Sequence, residues 1–331
     1  MIISRTPFRV SFFGGGTDYP AWYNENEGVV LSTTIDKYCY ITLRFLPPFF
    51  KHKHRIVYSR IENVKCISEI QHPAARALLE FCNIERGIEI HHDGDLPARS
   101  GLGSSSSFVV GLLHSLYALK GFIVSKHRLA KEAVYIERDV LKENVGFQDQ
   151  VAVAYGGFNK IVFNPNDEFR VEPVTLKQER LMYLQSHLML VFTGLSRTAS
   201  EVAAEQINNI PGKKKELTFM QQTVAEAIKI LNEDRDILEF GRLLDEVWKF
   251  KKSLSSKISN STIDNIYNSA LSSGAVGGKL LGAGGGGFMI LFVPPDKRQR
   301  VKESLKNLLD VRFSFENEGS QIIYYTNQNT K

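Results

Sequence analysis

PARSGLGSSSS, residues 97–107, is the most informative stretch of this chain of 331 residues. It is a glycine- and serine-rich loop that opens directly into residues 108–119, an apolar segment with the composition of a buried helix. Glycines let a backbone approach an anion, and the free N–H groups and dipole of a first helical turn attract negative charge. The direct interpretation is a phosphate site, and the alternative is a serine-capped helix that follows a flexible loop.

The loop differs from two other catalytic glycine motifs. No Gly-Lys-Ser/Thr follows its glycines, so it is not a Walker A loop and the P-loop folds are excluded. None of its serines lies in a Gly-x-Ser-x-Gly pattern, so the nucleophile of an α/β-hydrolase is absent. Its serine hydroxyls could instead donate hydrogen bonds to a phosphate, and one of them could bind magnesium.

A second glycine cluster lies near the N-terminus. Residues 2–13 are apolar and β-rich and predict a strand, which Gly14-Gly15-Gly16 ends in a tight turn with Thr17 and Asp18 just beyond. The Asp18 carboxylate could accept hydrogen bonds from sugar hydroxyls. An aspartate that caps the turn is the more common explanation of this pattern.

The third cluster, GGKLLGAGGGG at residues 277–287, contains a literal GxGxxG. A dinucleotide-binding loop must follow a strand and open a helix, whereas residues 288–293 predict another strand. The cluster therefore predicts a strand, a glycine turn and a second strand, with the backbone close to a ligand. A hairpin that needs glycine at positive φ explains the cluster equally well.

The remaining sequence predicts two halves of different character. Up to about residue 185, β-rich segments alternate with helices, among them an amphipathic helix over 125–143 with Ser125 as N-cap. A boundary is expected there because the sequence then becomes mainly helical, and without a long linker the halves should pack closely. The elements predicted beyond it are a strand at 188–192, helices at about 198–210, 214–233, 234–254, 260–273 and 296–309, and strands near 311–315 and 322–325.

The composition narrows the classes of function. With 43% hydrophobic and 23% charged residues the protein is globular, and a net charge of +5 suits anionic small molecules at least as well as nucleic acid. The basic runs Lys213–Lys215 and Lys249–Lys252 are isolated on predicted helices and belong to no recognisable nucleic-acid module, so we interpret them as solvated helix faces. No apolar run approaches the roughly 20 residues of a membrane span. The three cysteines, Cys39, Cys66 and Cys82, lie far apart in the sequence, which predicts reduced thiols. The N-terminal residues lack the pattern of a secretory signal, which predicts a cytoplasmic protein.

Taken in chain order, the three glycine clusters resemble the three signature motifs of the GHMP small-molecule kinases. Residues 6–9 with 14–18 are similar to the N-terminal motif, 97–107 to the phosphate loop, and 278–287 to the C-terminal glycine motif. The resemblance covers most of the chain. It implies an α+β fold, the GHMP kinase fold, in which two α/β domains enclose the active site and the C-terminal domain is ferredoxin-like.

The resemblance also implies the domain limits and the ligands. The N-terminal GHMP kinase domain would be residues 1–185 and the C-terminal domain residues 186–331. ATP and Mg²⁺ are the cofactors that it implies, and a small-molecule sugar phosphate is the implied partner, with no part for nucleic acid or a membrane. The oligomeric state does not follow from it.

Individual residues receive roles through the same resemblance. Glu137 and Ser105 match the magnesium ligands, Asp149 matches the aspartate that faces the substrate hydroxyl, and Arg9 matches the basic residue that approaches it. Asp149 would accept the hydroxyl proton or align the hydroxyl, and Arg9 would stabilise the transferring phosphoryl group. The implied nucleotide-binding residues are Pro97, Gly101, Leu102, Gly103, Ser104, Ser105 and Ser106. The implied substrate-binding residues include Gly15, Gly16, Thr17, Asp18, Gly284 and Gly285.

RTPFRVSFFGGGTD, residues 5–18, refines the resemblance. Galactokinases have Gly-Glu-His-Thr-Asp where this chain has GGGTD, so a carboxylate that would contact a galactose hydroxyl is missing. The string is similar to that of bacterial D-glycero-D-manno-heptose 7-phosphate kinases, and fucokinase-type domains are the next most similar. The implied reaction phosphorylates the anomeric C1 hydroxyl and gives a 1,7-bisphosphate for nucleotide-activated heptose. The alternatives are a fucokinase-like or other sugar 1-kinase, and a non-catalytic sensor of sugar and nucleotide.

A phosphorylated sugar would need a cation in the pocket. Its phosphate carries about two negative charges, which a neutral pocket would not stabilise. Arg197, between a predicted buried strand and a helix, and Lys279, beside the third glycine cluster, are the candidates. Arg197 is preferred because its planar group can make paired bonds to phosphate oxygens. A helix-start arginine without a ligand explains Arg197 equally well.

Overall fold

The computed structural model describes residues 1–195, 199–233 and 235–326. Its strands are β1 (Ile2–Phe13), β2 (Gly28–Phe45), β3 (His54–Val57), β4 (Ile61–Val64), β5 (Ile88–Gly94), β6 (Phe158–Asn164), β7 (Glu168–Pro173), β8 (Leu188–Phe192), β9 (Gly277–Leu280), β10 (Phe288–Phe292), β11 (Leu309–Val311), β12 (Phe315–Glu316) and β13 (Gln321–Tyr325). Its helices are α1 (Pro20–Tyr23), α2 (Pro73–Phe81), α3 (Ser104–Leu119), α4 (Lys126–Tyr135), α5 (Gln148–Tyr155), α6 (Gln178–Ser186), α7 (Ala199–Asn209), α8 (Lys214–Asn232), α9 (Leu238–Ser253), α10 (Ser261–Ser272) and α11 (Arg298–Ser304).

The first sheet is built around the long strand β2. Its order in the described chain is β13-β1-β2-β5-β3-β4, and β6 and β12 also pair with β2, while β7 pairs with β6. Helix α3 packs on β1 and β2. Because residues 106–113 of α3 are all buried, the predicted buried helix is confirmed, and the loop before it is fixed on this sheet.

The second sheet has the order β11-β8-β10-β9, and each neighbouring pair is antiparallel. Along the chain, β8 is followed by helices, then by the β9–β10 pair, then by α11 and β11. This is the split βαββαβ order, with the first helical connection enlarged to α7–α10. The ferredoxin-like layer that the family resemblance implied is therefore present.

Helices α8 and α9 lie between the two sheets. Helix α8 contacts β1 and β2, and α9 contacts β9 and β1. The ring of Phe240 on α9 lies 4.9 Å from that of Phe13, 5.6 Å from that of Phe12 and 6.1 Å from that of Phe292 on β10. The two halves therefore share one hydrophobic core, as their lack of a linker predicts.

The C-terminal segment departs from the prediction. The helix expected over 296–309 is shorter and corresponds to α11. The last two strands pair with the first sheet, where Phe315 lies opposite Ile35 and Gln321 opposite Arg5. They complete β1 and β2, whose edges would otherwise leave unpaired backbone groups. Residues 315–325 thus belong by pairing to the first sheet, and the division at residue 185 itself stays a prediction.

Two further elements differ from the prediction and bear on the site. The helix that begins after Ser125, whose hydroxyl accepts the N–H of Arg128 at 3.2 Å, changes at Ile136–Val140 into a π-helical turn. Such turns often occur at functional sites. Helix α5 was not predicted, because it is only two turns long. No helix among the described residues is long and apolar enough to cross a membrane.

Candidate active site

A cleft of about 910 Å³ lies where the three glycine clusters meet. Residues of both sheets line it, so the expected position of the site between the two halves is confirmed. The lining includes Arg9, Gly15, Gly16, Asp18, Gly101, Gly103, Ser104, Ser105, Ser106, Glu137, Gln148 and Asp149 from the first half, and Gln206, Lys251, Lys279 and Gly282 from the second.

The phosphate loop ends at Gly103, the N-cap of α3. Gly101 and Gly103 have φ of 81° and 76°, in the left-handed region that favours glycine. The Ser104 hydroxyl accepts the N–H of Arg99 at 3.1 Å and so holds the loop against the helix. The first turn of α3, with N–H groups that have no partner within the helix, therefore opens into the cleft beside Ser104 and Ser105.

Two residues predicted to bind the nucleotide are placed differently. Leu102 is fully buried, and its carbonyl accepts the N–H of Arg9 at 3.0 Å, so it joins the loop to β1. Leu96 and Ala98 line the cleft, whereas the lining does not include Pro97 or Leu102. Their contact with a nucleotide stays a prediction.

The third glycine cluster packs directly on the phosphate loop. It joins β9 to the antiparallel β10, so the predicted strand, glycine turn and strand are confirmed and the GxGxxG is not a dinucleotide site. A Cβ at Gly282 would lie 2.6 Å from Gly101 Cα, and one at Gly287 would lie 2.3 Å from the Ser100 oxygen. Glycine is needed here because two backbones touch.

Gly284 and Gly285 contact protein rather than the cleft. A Cβ at Gly284 would lie 2.8 Å from Ile258 Cα, and the Gly285 N–H donates to the Ile258 carbonyl at 2.9 Å. The lining of the cleft stops at Gly282 and Ala283 on this loop. The predicted contact of Gly284 and Gly285 with a substrate has no support in this geometry.

Arg9 and Asp149 form a bidentate ion pair in the cleft. Arg9 Nε donates to Asp149 Oδ1 at 2.7 Å, and Nη2 donates to Oδ2 at 2.6 Å. Arg9 Nη1 also donates to the Gly101 carbonyl at 2.7 Å. The arginine is 3% exposed and the aspartate 27%, so the guanidinium is fixed while the carboxylate remains accessible from the cleft.

Glu137, on the π-helical turn at Ile136–Val140, is a fully buried carboxylate that faces the first turn of α3. Its Oε1 accepts the Ser105 hydroxyl at 2.9 Å, and its Oε2 accepts the Ser106 hydroxyl at 2.8 Å and the Gln150 amide. Burial raises its pKa to about 7. Among the described residues no lysine or arginine forms an ion pair with it, so its charge is stabilised only by neutral donors.

The N-terminal cluster both caps its own turn and faces the cleft. Asp18 Oδ1 accepts the Gly16 N–H at 3.0 Å, and burial and the charge of Asp149 raise the pKa of Asp18. Thr17 is buried elsewhere, with its hydroxyl 2.8 Å from the Gly14 carbonyl and 2.9 Å from that of Val29. Gly15, Gly16 and Asp18 line the cleft, and Thr17 holds the turn on β2.

The two cations proposed for a substrate phosphate have different outcomes. Lys279 lines the cleft but is 2% exposed, and its Nζ donates to the Phe12 carbonyl at 2.8 Å. Burial lowers its pKa well below the usual value. Arg197 lies outside the described residues, and its role stays a prediction.

Sequence reasoning missed Lys251 and the glutamines around Asp149. We interpreted 249–252 as a solvated face, but Lys251 is 6% exposed and lines the cleft. It follows the buried residues Leu244, Val247 and Trp248 at helical spacing, a signal that places it on the buried face. Gln150 contacts Glu137, and Gln148 lines the cleft, because α5 brings both beside Asp149.

Comparison with known proteins supports this arrangement. The model of the GHMP kinases N-terminal domain matches residues 65–157, and the model of the GHMP kinases C-terminal domain matches residues 224–311. A D-glycero-alpha-D-manno-heptose 7-phosphate kinase of Campylobacter jejuni is 31% identical, over 96% of this chain and 97% of that protein.

Two other relatives are similar over nearly the whole chain. The crystal structure of a D-glycero-D-manno-heptose 1-phosphate kinase from Bacteroides thetaiotaomicron has a TM-score of 0.78 at 25% identity, and covers 98% of this chain and 100% of that one. A bifunctional fucokinase/GDP-fucose pyrophosphorylase of Arabidopsis thaliana is 25% identical over 91% of this chain and 30% of its own length. The names of the two heptose enzymes place the substrate's phosphate at different carbons. The family models, the identity over the full length and the cleft together show that the chain belongs to the GHMP kinase family, as a phosphotransferase that acts with ATP on a sugar hydroxyl.

Proposed function

We propose that the protein uses MgATP to phosphorylate the anomeric C1 hydroxyl of D-glycero-D-manno-heptose 7-phosphate, giving the 1,7-bisphosphate. The observation that carries the proposal is the bidentate Arg9–Asp149 pair, which lies beside Gly103 at the start of α3. The choice of sugar is supported by the 31% identity with the Campylobacter jejuni enzyme of that name.

The ion pair supplies the two groups that transfer to an alcohol requires. The accessible carboxylate of Asp149 accepts the proton of the sugar hydroxyl or orients it. Arg9 is held by three hydrogen bonds to Asp149 and Gly101, so its positive charge is fixed before the substrate binds. A fixed charge stabilises the developing negative charge of the transferring group without reorganising at the moment of reaction.

The start of α3 supplies the site for the phosphates. Its N–H groups and dipole attract anions, and the hydroxyls of Ser104 and Ser105 line the same wall. Phosphoryl transfer involves little covalent work by the protein, so positioning and charge dominate. Gly101 and Gly103 leave the backbone of this wall uncovered.

Glu137 and Ser105 fit a magnesium site. A buried carboxylate without an ion-pair partner among the described residues is stabilised by a divalent cation, and carboxylate and hydroxyl oxygens are ligands that Mg²⁺ accepts. The metal would neutralise charge on the phosphates of ATP. Ser106 and Gln150 hold the other oxygen of Glu137 and so orient the carboxylate.

The wall opposite α3 would hold the sugar. Gly15 leaves room there, since an added Cβ would meet nothing closer than 4.0 Å, and Asp18 and Gln206 place polar groups along it. A carboxylate and an amide are suitable partners for a substrate rich in hydroxyl groups.

A sugar panel with product analysis tests the proposal. Purified protein is assayed with MgATP for ADP release on heptose 7-phosphate, heptose, mannose, fucose and galactose, and the product is examined by ³¹P NMR. We expect the highest kcat/KM with heptose 7-phosphate and a new phosphate coupled to the anomeric proton. Preference for fucose would favour a fucokinase-like enzyme, and MgATP binding without turnover on any sugar would favour a sensor. Either result would overturn the proposal.

A further inference from the structure

Two buried lysines meet at the wall of the cleft formed by the second half. Lys251 reaches it from α9 and Lys279 from β9, and both line the cleft with nearly all of their surface covered. Each is close enough to Arg9 and Asp18 for those charges to act on it, and the charge of Lys251 lowers the pKa of Lys279. Three basic side chains and the two carboxylates Asp18 and Asp149 therefore share one end of the cleft.

Neither lysine has an anionic partner in the described part of the chain. The acids nearby are already engaged, Asp149 by Arg9 and Asp18 by the Gly16 N–H, and neither forms an ion pair with Lys251 or Lys279. Burying an unpaired ammonium is costly, and burial lowers the pKa of Lys251 to about 7. A lysine with a purely structural role could extend its ammonium group into solvent. Because these two lysines do not, we expect a negatively charged ligand to balance their charge.

Both ammonium groups keep donors for such a ligand. Lys251 donates to the carbonyls of Leu280 at 2.9 Å and Gly282 at 2.6 Å, and Lys279 donates to that of Phe12 at 2.8 Å. A protonated lysine has three N–H donors, so in that form Lys251 has one left and Lys279 has two. The backbone contacts fix the direction of each side chain, and the remaining donors suit an oxyanion.

We propose that Lys251 and Lys279 together form a phosphate-binding site in the cleft, one that compensates a dianionic phosphate group of a substrate. The proposal rests on the proposed sugar kinase function and deepens it, since it names the cations that the phosphate meets. The same chemistry has two sources in this enzyme, the phosphate already on the sugar and the phosphoryl group transferred from ATP.

Inorganic phosphate is the probe that separates these sources without knowledge of the sugar. The melting temperature is measured with phosphate for the wild type, Lys251→Met, Lys279→Met and Lys252→Met, each with and without saturating MgAMP-PNP. Lys252 is the matched control, because it neighbours Lys251 on α9 but pairs with Asp264 instead. Lys251→Arg, which retains the charge, serves as a second variant where the methionine variant does not fold.

We expect phosphate to stabilise the wild type and Lys252→Met, and its apparent affinity to fall at least about tenfold in Lys251→Met and Lys279→Met. Stabilisation that persists with AMP-PNP bound assigns the site to the phosphate on the sugar, and stabilisation that the nucleotide abolishes assigns it to the transferred group. Equal phosphate responses in wild type and both lysine variants would overturn the proposal. Phosphate binding that depends on the lysines, in an enzyme that does not phosphorylate heptose 7-phosphate, would leave this site standing and reject only the proposed sugar.

Discussion

Gly103 lies against the side chain of Arg9. A Cβ added at Gly103 would stand 3.1 Å from Arg9 Cγ, 3.6 Å from its Nε and 3.7 Å from Asp149 Oδ2. The glycine at the end of the phosphate loop therefore also makes room for the ion pair.

Gly103→Ala should lower kcat strongly, because the added methyl group displaces the Arg9–Asp149 pair. Gly121 is a matched control: it has the same φ of 76°, follows the same helix, and has no atom within 4 Å of an added Cβ. Gly121→Ala should lower the free energy of unfolding by only roughly 1 kcal/mol, the cost of left-handed backbone strain. It should leave kcat unchanged. Steady-state kinetics and thermal melts of both variants check this, and equal effects on kcat would show that crowding at Arg9 is unimportant.

Gly282→Ala should weaken ATP binding although the residue lies on a different loop. The methyl group would press on Gly101, where the two glycine loops touch, and so move the phosphate loop. We expect KM for ATP to rise at least about tenfold with a smaller change in KM for the sugar. Isothermal titration with MgAMP-PNP measures the affinity directly, and wild-type affinity would argue against coupling between the two loops.

Glu137→Gln should change how stability depends on pH. The carboxyl group has an ordinary pKa of 4.5 in the unfolded chain and about 7 in the folded protein. As the pH rises, the unfolded chain therefore loses this proton before the folded protein does. The free energy of unfolding accordingly falls between about pH 4.5 and pH 7. Without Mg²⁺, the variant should melt at the wild-type temperature at pH 4 and at a higher temperature at pH 8. Parallel profiles would contradict the buried, unpaired carboxylate.

Magnesium should reverse that order at pH 8. Mg²⁺ with ATP should raise the melting temperature of the wild type above that of Glu137→Gln, because binding to the native state stabilises it. The Mg²⁺ concentration that gives half-maximal activity should rise in the variant. An unaltered Mg²⁺ titration would remove Glu137 from the metal site.

Local patterns were sufficient to predict much of the fold. The apolar run of α3, the strand at Ile2–Phe13 and the Ser125 cap are readable because periodicity and capping act between near neighbours. The place of β13 was not predictable in this way. Its pairing joins Gln321 to Arg5 across most of the chain, and no local pattern specifies such a partner.

The candidate site likewise combines residues that sequence motifs predicted with residues that only the packing of the chain reveals. Arg9, Glu137 and Asp149 were found through motifs, and the structure brings the first and last into direct contact. Lys251 was missed because a lysine within a charged run looks solvated, and its burial depends on packing between α9 and β9. The role expected of Gly284 was inferred from a motif whose glycines instead allow contact with Ile258.

The rate of Asp149→Asn tests the central claim most directly, that the Arg9–Asp149 pair is the centre of phosphoryl transfer. The substitution keeps the shape of the side chain and removes its charge. With the sugar that the panel identifies, we predict that kcat falls roughly 10²-fold or more, the usual scale for a lost general base, while the MgAMP-PNP affinity and the fold are retained. A variant that folds, binds the nucleotide and turns over at nearly the wild-type rate would contradict the account.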